Sequence, residues 1–113
     1  MHEVSLMEDT LAIALEHTKA QGAEKIHRIE LHVGELSGVV PEALAFAFDV
    51  VSAGTLAEGA ELVLKAIPAR CYCDRCRREF QPSGWVYGCP SCHCVSDRVC
   101  QGQALELASL EVS

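Results

Sequence analysis

The chain has 113 residues, of which seven are cysteine, and it carries a formal net charge of −7 at pH 7. This acidic balance argues against a nucleic-acid-binding protein, which normally presents a basic face. No apolar run reaches the roughly 18 residues that indicate a membrane span, and the first residues lack the pattern of a secretory signal. We therefore expect a cytoplasmic protein whose thiols stay reduced, and reduced thiols favour metal binding over disulfides.

The first predicted element is a helix over residues 5–21. Ser5 and Glu8 form an S-x-x-E capping box, and Gly22 is a natural stop. Apolar spacing predicts that one face of this helix points inward, at Val4, Met7, Leu11, Leu15 and Thr18.

A strand, a helix and a second strand are expected next. KIHRIELHVGEL predicts the strand, because apolar residues alternate with polar ones, and AELVLKAIP predicts the second strand, which Pro68 stops. VPEALAFAFDVVSAG predicts the helix, with Pro41 in its first turn and Gly54 at its end. The inward residues are predicted to be Ile29, Leu31 and Val33 on the strand and Leu44, Phe48 and Val51 on the helix.

The last predicted strand is QALELASLEV. Its apolar alternation shifts between Leu107 and Leu110, which indicates a bulge. This strand and AELVLKAIP flank a cysteine-rich segment, and we expect both to belong to one sheet. The segment would then be an insertion in an α/β body.

The inserted segment reads RCYCDRCRREFQPSGWVYGCPSCHCVSDRVC. Its two C-x-x-C pairs, Cys73 with Cys76 and Cys89 with Cys92, supply the four thiolates of a tetrahedral Zn(II) site. REFQPSGWVYG is typical of the short hairpin of a zinc ribbon. Three aromatic residues surround its Pro-Ser-Gly turn: Phe80, Trp85 and Tyr87. A redox dithiol and a rubredoxin-type iron centre are the alternatives, and ligand identity alone does not separate zinc from iron.

The other residues of the segment have two interpretations. Cys71 and Cys94 are interpreted first as small apolar residues or idle thiols, and second as replacements for a ligand when the site rearranges. His93 is expected beside the site rather than in it. The arginines are expected to offset the −2 charge of four thiolates on Zn(II), with a nucleic-acid patch as the weaker alternative: Arg70, Arg75, Arg77, Arg78 and Arg98.

The chain begins MHE, which offers a metal a compact set of nitrogens. Met1 supplies the α-amine, His2 the imidazole, and His2 and Glu3 the backbone amides. Amines and imidazoles lose a proton near neutral pH at modest cost. Ni(II) and Cu(II) favour a square plane of nitrogens and Zn(II) does not, so this set suits a labile site for one of these two ions. The alternative is a chain start without metal chemistry, because most histidines at the second position bind no metal.

Several segments together closely resemble the HypA/HybF family: the initial MHE, GELSGVVPEAL with AFAFDVVSAGT, AELVLKAIPARCYC, and CPSC ahead of ALELASLEV. Members of this family are nickel metallochaperones for NiFe-hydrogenase maturation, and the resemblance covers nearly the whole chain. The ligands that it implies are Met1, His2 and Glu3 for transient Ni(II), and Cys73, Cys76, Cys89 and Cys92 for structural Zn(II).

The resemblance also implies partners. These are a HypB-type GTPase, the hydrogenase large subunit precursor and, in some organisms, urease maturation factors, with no nucleic acid and no membrane. Some family members place an aspartate near the nickel where this chain has Val40. A carboxylate ligand would therefore have to come from Glu3, Glu35 or Glu42.

The predicted fold class is α+β, with a small mixed three-stranded sheet, two helices and an inserted zinc-ribbon module. Residues 1–69, completed by strand 103–113, are expected to form a nickel-binding α/β domain, and residues 70–102 a zinc-ribbon domain. The predicted function is a nickel metallochaperone that is not an enzyme. The alternatives are a zinc-ribbon protein-interaction or nucleic-acid-binding module, and a thiol oxidoreductase built on the C-x-x-C pairs.

Overall fold

The computed structural model describes residues 2–82, 87–96 and 98–113. The elements, in chain order, are α1 (His2–Ala20), β1 (Ile26–Gly34), α2 (Pro41–Ser52), β2 (Glu61–Ile67), β3 (Arg70–Cys73), β4 (Arg78–Phe80), β5 (Arg98–Gln101) and β6 (Leu105–Val112). Neither helix is long and apolar enough to cross a membrane, over the residues that the structure describes.

The first sheet has the strand order β2-β1-β6. Strands β1 and β2 are parallel, because Glu35, the residue after β1, donates its N–H to the carbonyl of Ile67 at the end of β2. Strand β6 is antiparallel to β1, because hydrogen bonds between Lys25 and Ser113 join the start of β1 to the end of β6. This mixed sheet and the two helices confirm the predicted fold class. The two strands that flank the cysteine-rich segment share one sheet, as predicted.

The first compact unit comprises Met1–His32, Val39–Lys65 and Leu105–Ser113. Both helices and β1 supply most of its buried apolar side chains, including Met7, Leu11, Ala14, Ile26, Ile29, Leu31, Leu44, Ala47 and Phe48. The predicted inward face of α1 is correct at Met7, Leu11 and Thr18. The Thr18 hydroxyl donates to the Ala14 carbonyl at 2.8 Å, which satisfies the buried polar group. The prediction is wrong at Val4, which is 36% exposed.

Helix α1 begins at His2, so the predicted start at Ser5 is wrong. Ser5 and Glu8 lie inside the helix, where they cannot form a capping box. Glu3 occupies the first turn instead, and its carboxylate accepts a hydrogen bond from its own backbone N–H. A carboxylate is stabilised at a helix N-terminus by the free amides and the helix dipole, which favours the earlier start.

The second compact unit comprises Val33–Gly38 and Ala66–Ala104. It contains an antiparallel sheet with the order β4-β3-β5. The first C-x-x-C pair lies at the turn between β3 and β4, because Cys73 is paired with Arg78. Part of the predicted REFQPSGWVYG hairpin, residues 83–86, lies outside the described residues. Among its described residues, β4 pairs with β3, and Gly88 forms an isolated antiparallel bridge with Val95.

Residues 33–38, which we call the clasp segment, hold both ends of the cysteine-rich insertion within this unit. The Leu36 N–H donates to the Gly102 carbonyl at 2.7 Å, and the Ala69 N–H donates to the Glu35 carboxylate at 2.8 Å. Gly102 has a φ of +94°, and a Cβ there would lie 2.7 Å from the Cα of Ala69. Both the backbone conformation and the close approach therefore require glycine.

Candidate metal centre

Four cysteine sulfurs converge in the second unit: those of Cys73, Cys76, Cys89 and Cys92 lie within 4.8 Å of one another. The Cys73 and Cys92 sulfurs are 3.5 Å apart, and the Cys76 and Cys89 sulfurs are 3.8 Å apart. A Zn–S bond of about 2.3 Å places the corners of a tetrahedron about 3.8 Å apart. The sulfurs therefore fit a tetrahedral ion such as zinc. Within the described ranges, no other group of His, Cys, Asp and Glu side chains has metal-site spacing.

The two C-x-x-C turns share one backbone form. The residue after the second cysteine of each pair, Arg77 in one and His93 in the other, has a positive φ, of 56° and 62° respectively. Each of these residues donates its N–H to the carbonyl of the first cysteine of its pair, Cys73 at 2.7 Å and Cys89 at 2.9 Å. A non-glycine residue in this conformation costs about 1–2 kcal/mol. The repeated turn directs two pairs of sulfurs to one point despite that cost.

Proton affinities differ among these thiols. Hydrogen bonds from the backbone amides of Cys92 and Ser91 lower the pKa of the Cys89 thiol to about 6. The Cys94 amide acts to lower the pKa of the Cys92 thiol, but burial and the neighbouring thiols together raise it to about 12. A divalent cation would stabilise all four thiolates, and its binding would release protons. Metal occupancy of the centre is therefore expected to fall as the pH falls.

Arg75 forms a hydrogen bond with a cysteine sulfur of the segment. It lies between Cys73 and Cys76 in the first C-x-x-C turn, and its Nη1 donates to the Cys94 sulfur at 3.7 Å. That hydrogen bond, together with the negative charge that the Cys94 and Cys92 sulfurs carry when they are ionised, raises the pKa of Arg75. The predicted compensation of thiolate charge by arginine is thus supported at this residue.

Two other arginines of the segment contact carboxylates. The Nε of Arg70 lies 2.9 Å from a carboxylate oxygen of Glu79. The guanidinium of Arg98 lies 2.5 Å from a carboxylate oxygen of Asp74 and 4.9 Å from the ring centroid of Tyr72. These contacts direct both side chains to ion pairs rather than to the sulfurs.

The remaining cysteines occupy different environments. Cys71 is fully buried beside Phe80, as its apolar interpretation predicts, whereas Cys94 and Cys100 are exposed. The contact between Cys94 and Arg75 was missed by the sequence reasoning. Its only sequence signal is the C-x-C spacing from Cys92, which does not specify a partner.

Two of the three predicted nickel ligands, His2 and Glu3, lie in the first turn of α1. Met1 lies outside the described residues, His2 is exposed and Glu3 is half-buried. The backbone N–H groups of a first helical turn have no acceptor within the helix. The Glu3 carboxylate accepts from the Val40 N–H at 3.4 Å, and the hydrogen bonds from the Glu3 and Val40 amides lower its pKa. His2 and Glu3, which are consecutive in sequence, therefore both lie in the first turn of α1, where the His2 side chain is exposed.

The other candidate carboxylates have separate positions. Glu35 accepts from the Ala69 N–H and so serves the clasp segment, and Glu42 is exposed in the first turn of α2. The histidines of β1 form hydrogen bonds with other side chains. His27 Nε2 lies 2.6 Å from the Ser113 hydroxyl, and His32 Nε2 lies 2.9 Å from the Glu30 carboxylate.

Known proteins match the chain over its full length. A family model described as "Hydrogenase/urease nickel incorporation, metallochaperone, hypA" matches residues 1–112. The chain belongs to the HypA family. Hydrogenase maturation factor HypA of a Picosynechococcus species is 47% identical over 112 residues, which are 99% of each chain. HypA of Acidithiobacillus ferrooxidans is 41% identical over 112 residues, again 99% of each chain.

The fold is similar to that of solved HypA structures. The solution structure of the Ni metallochaperone HypA from Helicobacter pylori matches with a TM-score of 0.72 and 30% identity, covering 97% of this chain and 96% of that one. These findings confirm the resemblance that was based on MHE, the C-x-x-C pairs and the segments between them. As a HypA protein, the chain is a nickel-incorporating metallochaperone of hydrogenase maturation and not an enzyme.

Proposed function

We propose that this chain binds Ni(II) at its N-terminus through Met1, His2 and Glu3 and delivers it to the NiFe-hydrogenase large subunit precursor. The nickel-binding domain comprises residues 1–69 with strand 103–113, and the zinc ribbon comprises residues 70–102. The clasp segment belongs to the first of these in sequence and is grouped with the ribbon in the second compact unit. The partners are a HypB-type GTPase and, for a second client, urease maturation factors. The compartment is the cytoplasm.

The exposed start of α1 is the observation that carries the nickel assignment. His2 and Glu3 lie in the first turn, where the backbone amides have no helical acceptor. The α-amine, two amides and the His2 imidazole supply four nitrogens, and a square plane of nitrogens suits Ni(II). Because the ligands are consecutive residues at a chain end, they can surround the ion without moving the core.

Binding in this form changes the first turn of α1. The amides of His2 and Glu3 lose their protons to the metal, so Glu3 can no longer donate its N–H to its own carboxylate. The 3.4 Å hydrogen bond from Val40 to Glu3 is long and solvent-exposed, and exposed contacts of this kind are weak. Loading and release therefore disturb few stabilising contacts, which suits a protein that passes its ion to another.

The four-cysteine centre supports a resident Zn(II) rather than a cargo ion. Cys73 and Cys89 are buried, and Cys76 and Cys92 are half-buried. All four corners of the tetrahedron are protein sulfurs, which is the closed ligand set of structural zinc sites. Bound zinc would stabilise the small second sheet, whose strands are only three or four residues long.

Nickel titration of the untagged protein tests the proposal. The comparison proteins carry His2→Ala, a short N-terminal extension, or His17→Ala, which alters an exposed histidine further along the same helix. We expect one nickel per chain in the untagged protein and in His17→Ala, severe loss in the other two, and equal zinc content throughout. Equal nickel uptake by all four proteins would refute the N-terminal site.

Transfer to the client tests delivery. The nickel-loaded protein is mixed with purified large subunit precursor, with and without the GTPase and GTP, and the nickel bound to each protein is measured after separation. We expect nickel to move to the precursor from the unaltered chain. Precursor that stays free of nickel under all conditions would contradict delivery while leaving the binding result intact.

A further inference from the structure

A fifth sulfur lies at the edge of the four-cysteine centre. Cys94 follows Cys92 by two residues and is exposed, whereas Cys73 and Cys89 are buried. Cys94 lines one cavity together with Cys73, one of the four cysteines of the centre. Cys94 therefore lies outside the tetrahedron but next to one of its corners.

Arg75 contacts this sulfur. Its Nη1 donates to the Cys94 sulfur at 3.7 Å. Arg75 belongs to the first C-x-x-C turn and Cys94 follows the second, so the contact joins the two turns. In addition, the Cys89 N–H donates to the Cys94 carbonyl at 2.9 Å, which ties the backbone of Cys94 to the centre. The fifth sulfur is thus exposed, and it contacts a residue of the first C-x-x-C turn.

A cavity opens on the same side of the centre. It has a volume of about 240 Å³, and its lining includes Cys73, Arg75, Cys94 and Val95. Val95 is 70% exposed, so this side of the segment faces solvent. A small metal-binding molecule in the cavity would lie against the Cys94 sulfur and one corner of the tetrahedron at the same time.

We propose that Cys94 is an exchange ligand for the zinc that the preceding section assigns to the centre. The proposal rests on that zinc site and is independent of the nickel site. In the exchange, the Cys94 sulfur forms a bond to the metal while the bond from the Cys92 sulfur breaks. The proton that Cys94 gives up passes to the Cys92 sulfur. The metal keeps its charge and four sulfur ligands, so the step needs neither an oxidant nor a reductant.

This exchange would give a chelator access to the resident zinc. With Cys94 as a ligand, one corner of the metal site lies on an exposed residue that borders the cavity, whereas the resting ligands are buried or half-buried. An acceptor can then replace Cys94 without first opening the buried core of the segment.

The rate of zinc transfer to excess 4-(2-pyridylazo)resorcinol tests the proposal. The zinc-loaded unaltered protein is compared with Cys94→Ser and with Cys100→Ser, a matched control at the other exposed thiol. We expect equal zinc content in all three and transfer about tenfold slower in Cys94→Ser alone, equivalent to about 1.4 kcal/mol in the barrier. Transfer from Cys94→Ser at or above the unaltered rate, or equal slowing by both variants, would overturn the proposal.

A cobalt experiment tests the ligand role itself. Cys92→Ser should retain a four-sulfur Co(II) spectrum because Cys94 replaces the missing ligand. In the double variant that carries both Cys92→Ser and Cys94→Ser, the thiolate-to-cobalt absorption should be weaker. Identical spectra for the single and double variants, or no cobalt binding by Cys92→Ser, would overturn the proposal. Nickel uptake is expected to be unchanged in Cys94→Ser and is measured on the same sample. A failure here is therefore distinguishable from a failure of the nickel site.

Discussion

Replacing Gly102 with alanine is expected to destabilise the second unit by two separate effects. The first is backbone strain, because φ is +94° and a side chain in the left-handed region costs about 1–2 kcal/mol. The second is steric, because the new Cβ would lie 2.7 Å from the Cα of Ala69 and 3.1 Å from the carbonyl oxygen of Pro68. Backbone atoms cannot rotate away, and such overpacking costs about 1–3 kcal/mol. Gly102→Ala is therefore expected to lower the free energy of unfolding by about 2–5 kcal/mol.

Gly38→Ala is the matched control for the strain. Gly38 lies in the same unit and has a φ of +77°, but a Cβ there meets nothing within 4 Å. Gly38→Ala should therefore lower the free energy of unfolding only by the cost of the backbone strain, about 1–2 kcal/mol. The difference between the two variants isolates the close approach of the two ends of the insertion.

Urea unfolding of the zinc-loaded proteins measures both losses. The unfolding is followed by the far-ultraviolet circular dichroism of each protein. The reasoning predicts a clearly lower midpoint for Gly102→Ala than for Gly38→Ala. Equal midpoints for the two variants would refute the steric argument, and an unchanged midpoint for Gly102→Ala would refute both arguments.

Three further predictions concern charge and metal. The Arg28 guanidinium lies 3.3–3.7 Å from carboxylate oxygens of Glu30, Glu61 and Glu111, so Arg28→Gln should lower stability in urea by about 1 kcal/mol or less, and the loss should shrink in about 1 M salt. Two backbone amides lower the pKa of Glu3 below 4.5, so ionised Glu3 stabilises the fold above that pH, and the contribution disappears as the pH falls through the lowered value. Glu3→Gln should therefore flatten the acid limb of a plot of thermal midpoint against pH, and an unchanged limb would contradict this. Zinc should be released as the pH falls, because protons compete for the four thiolates, and metal analysis after dialysis at a series of pH values measures the release.

The sequence was sufficient to predict which four sulfurs converge. Each C-x-x-C turn is local, so the spacing alone brings its two cysteines together, and tetrahedral coordination requires two such pairs. The backbone form of the turns was not predictable. The left-handed positions are Arg77 and His93, and neither is the glycine or asparagine that usually marks this conformation.

The start of α1 and the clasp segment show why other features were missed. The S-x-x-E pattern at Ser5 is also compatible with a helix interior, and only the accommodation of Glu3 at the helix start distinguishes the two. The hydrogen bond of Glu35 to Ala69 joins residues 34 positions apart. Periodicity and capping rules describe neighbours in sequence, so they give no signal for a contact of this range.

Nickel K-edge X-ray absorption of the untagged protein with one nickel per chain tests the central claim most directly. The N-terminal site predicts a square-planar spectrum with a first shell of nitrogen and no sulfur, and this spectrum should be lost in His2→Ala. A nickel shell made of sulfur, unchanged by His2→Ala, would contradict the account and place the ion at the cysteines.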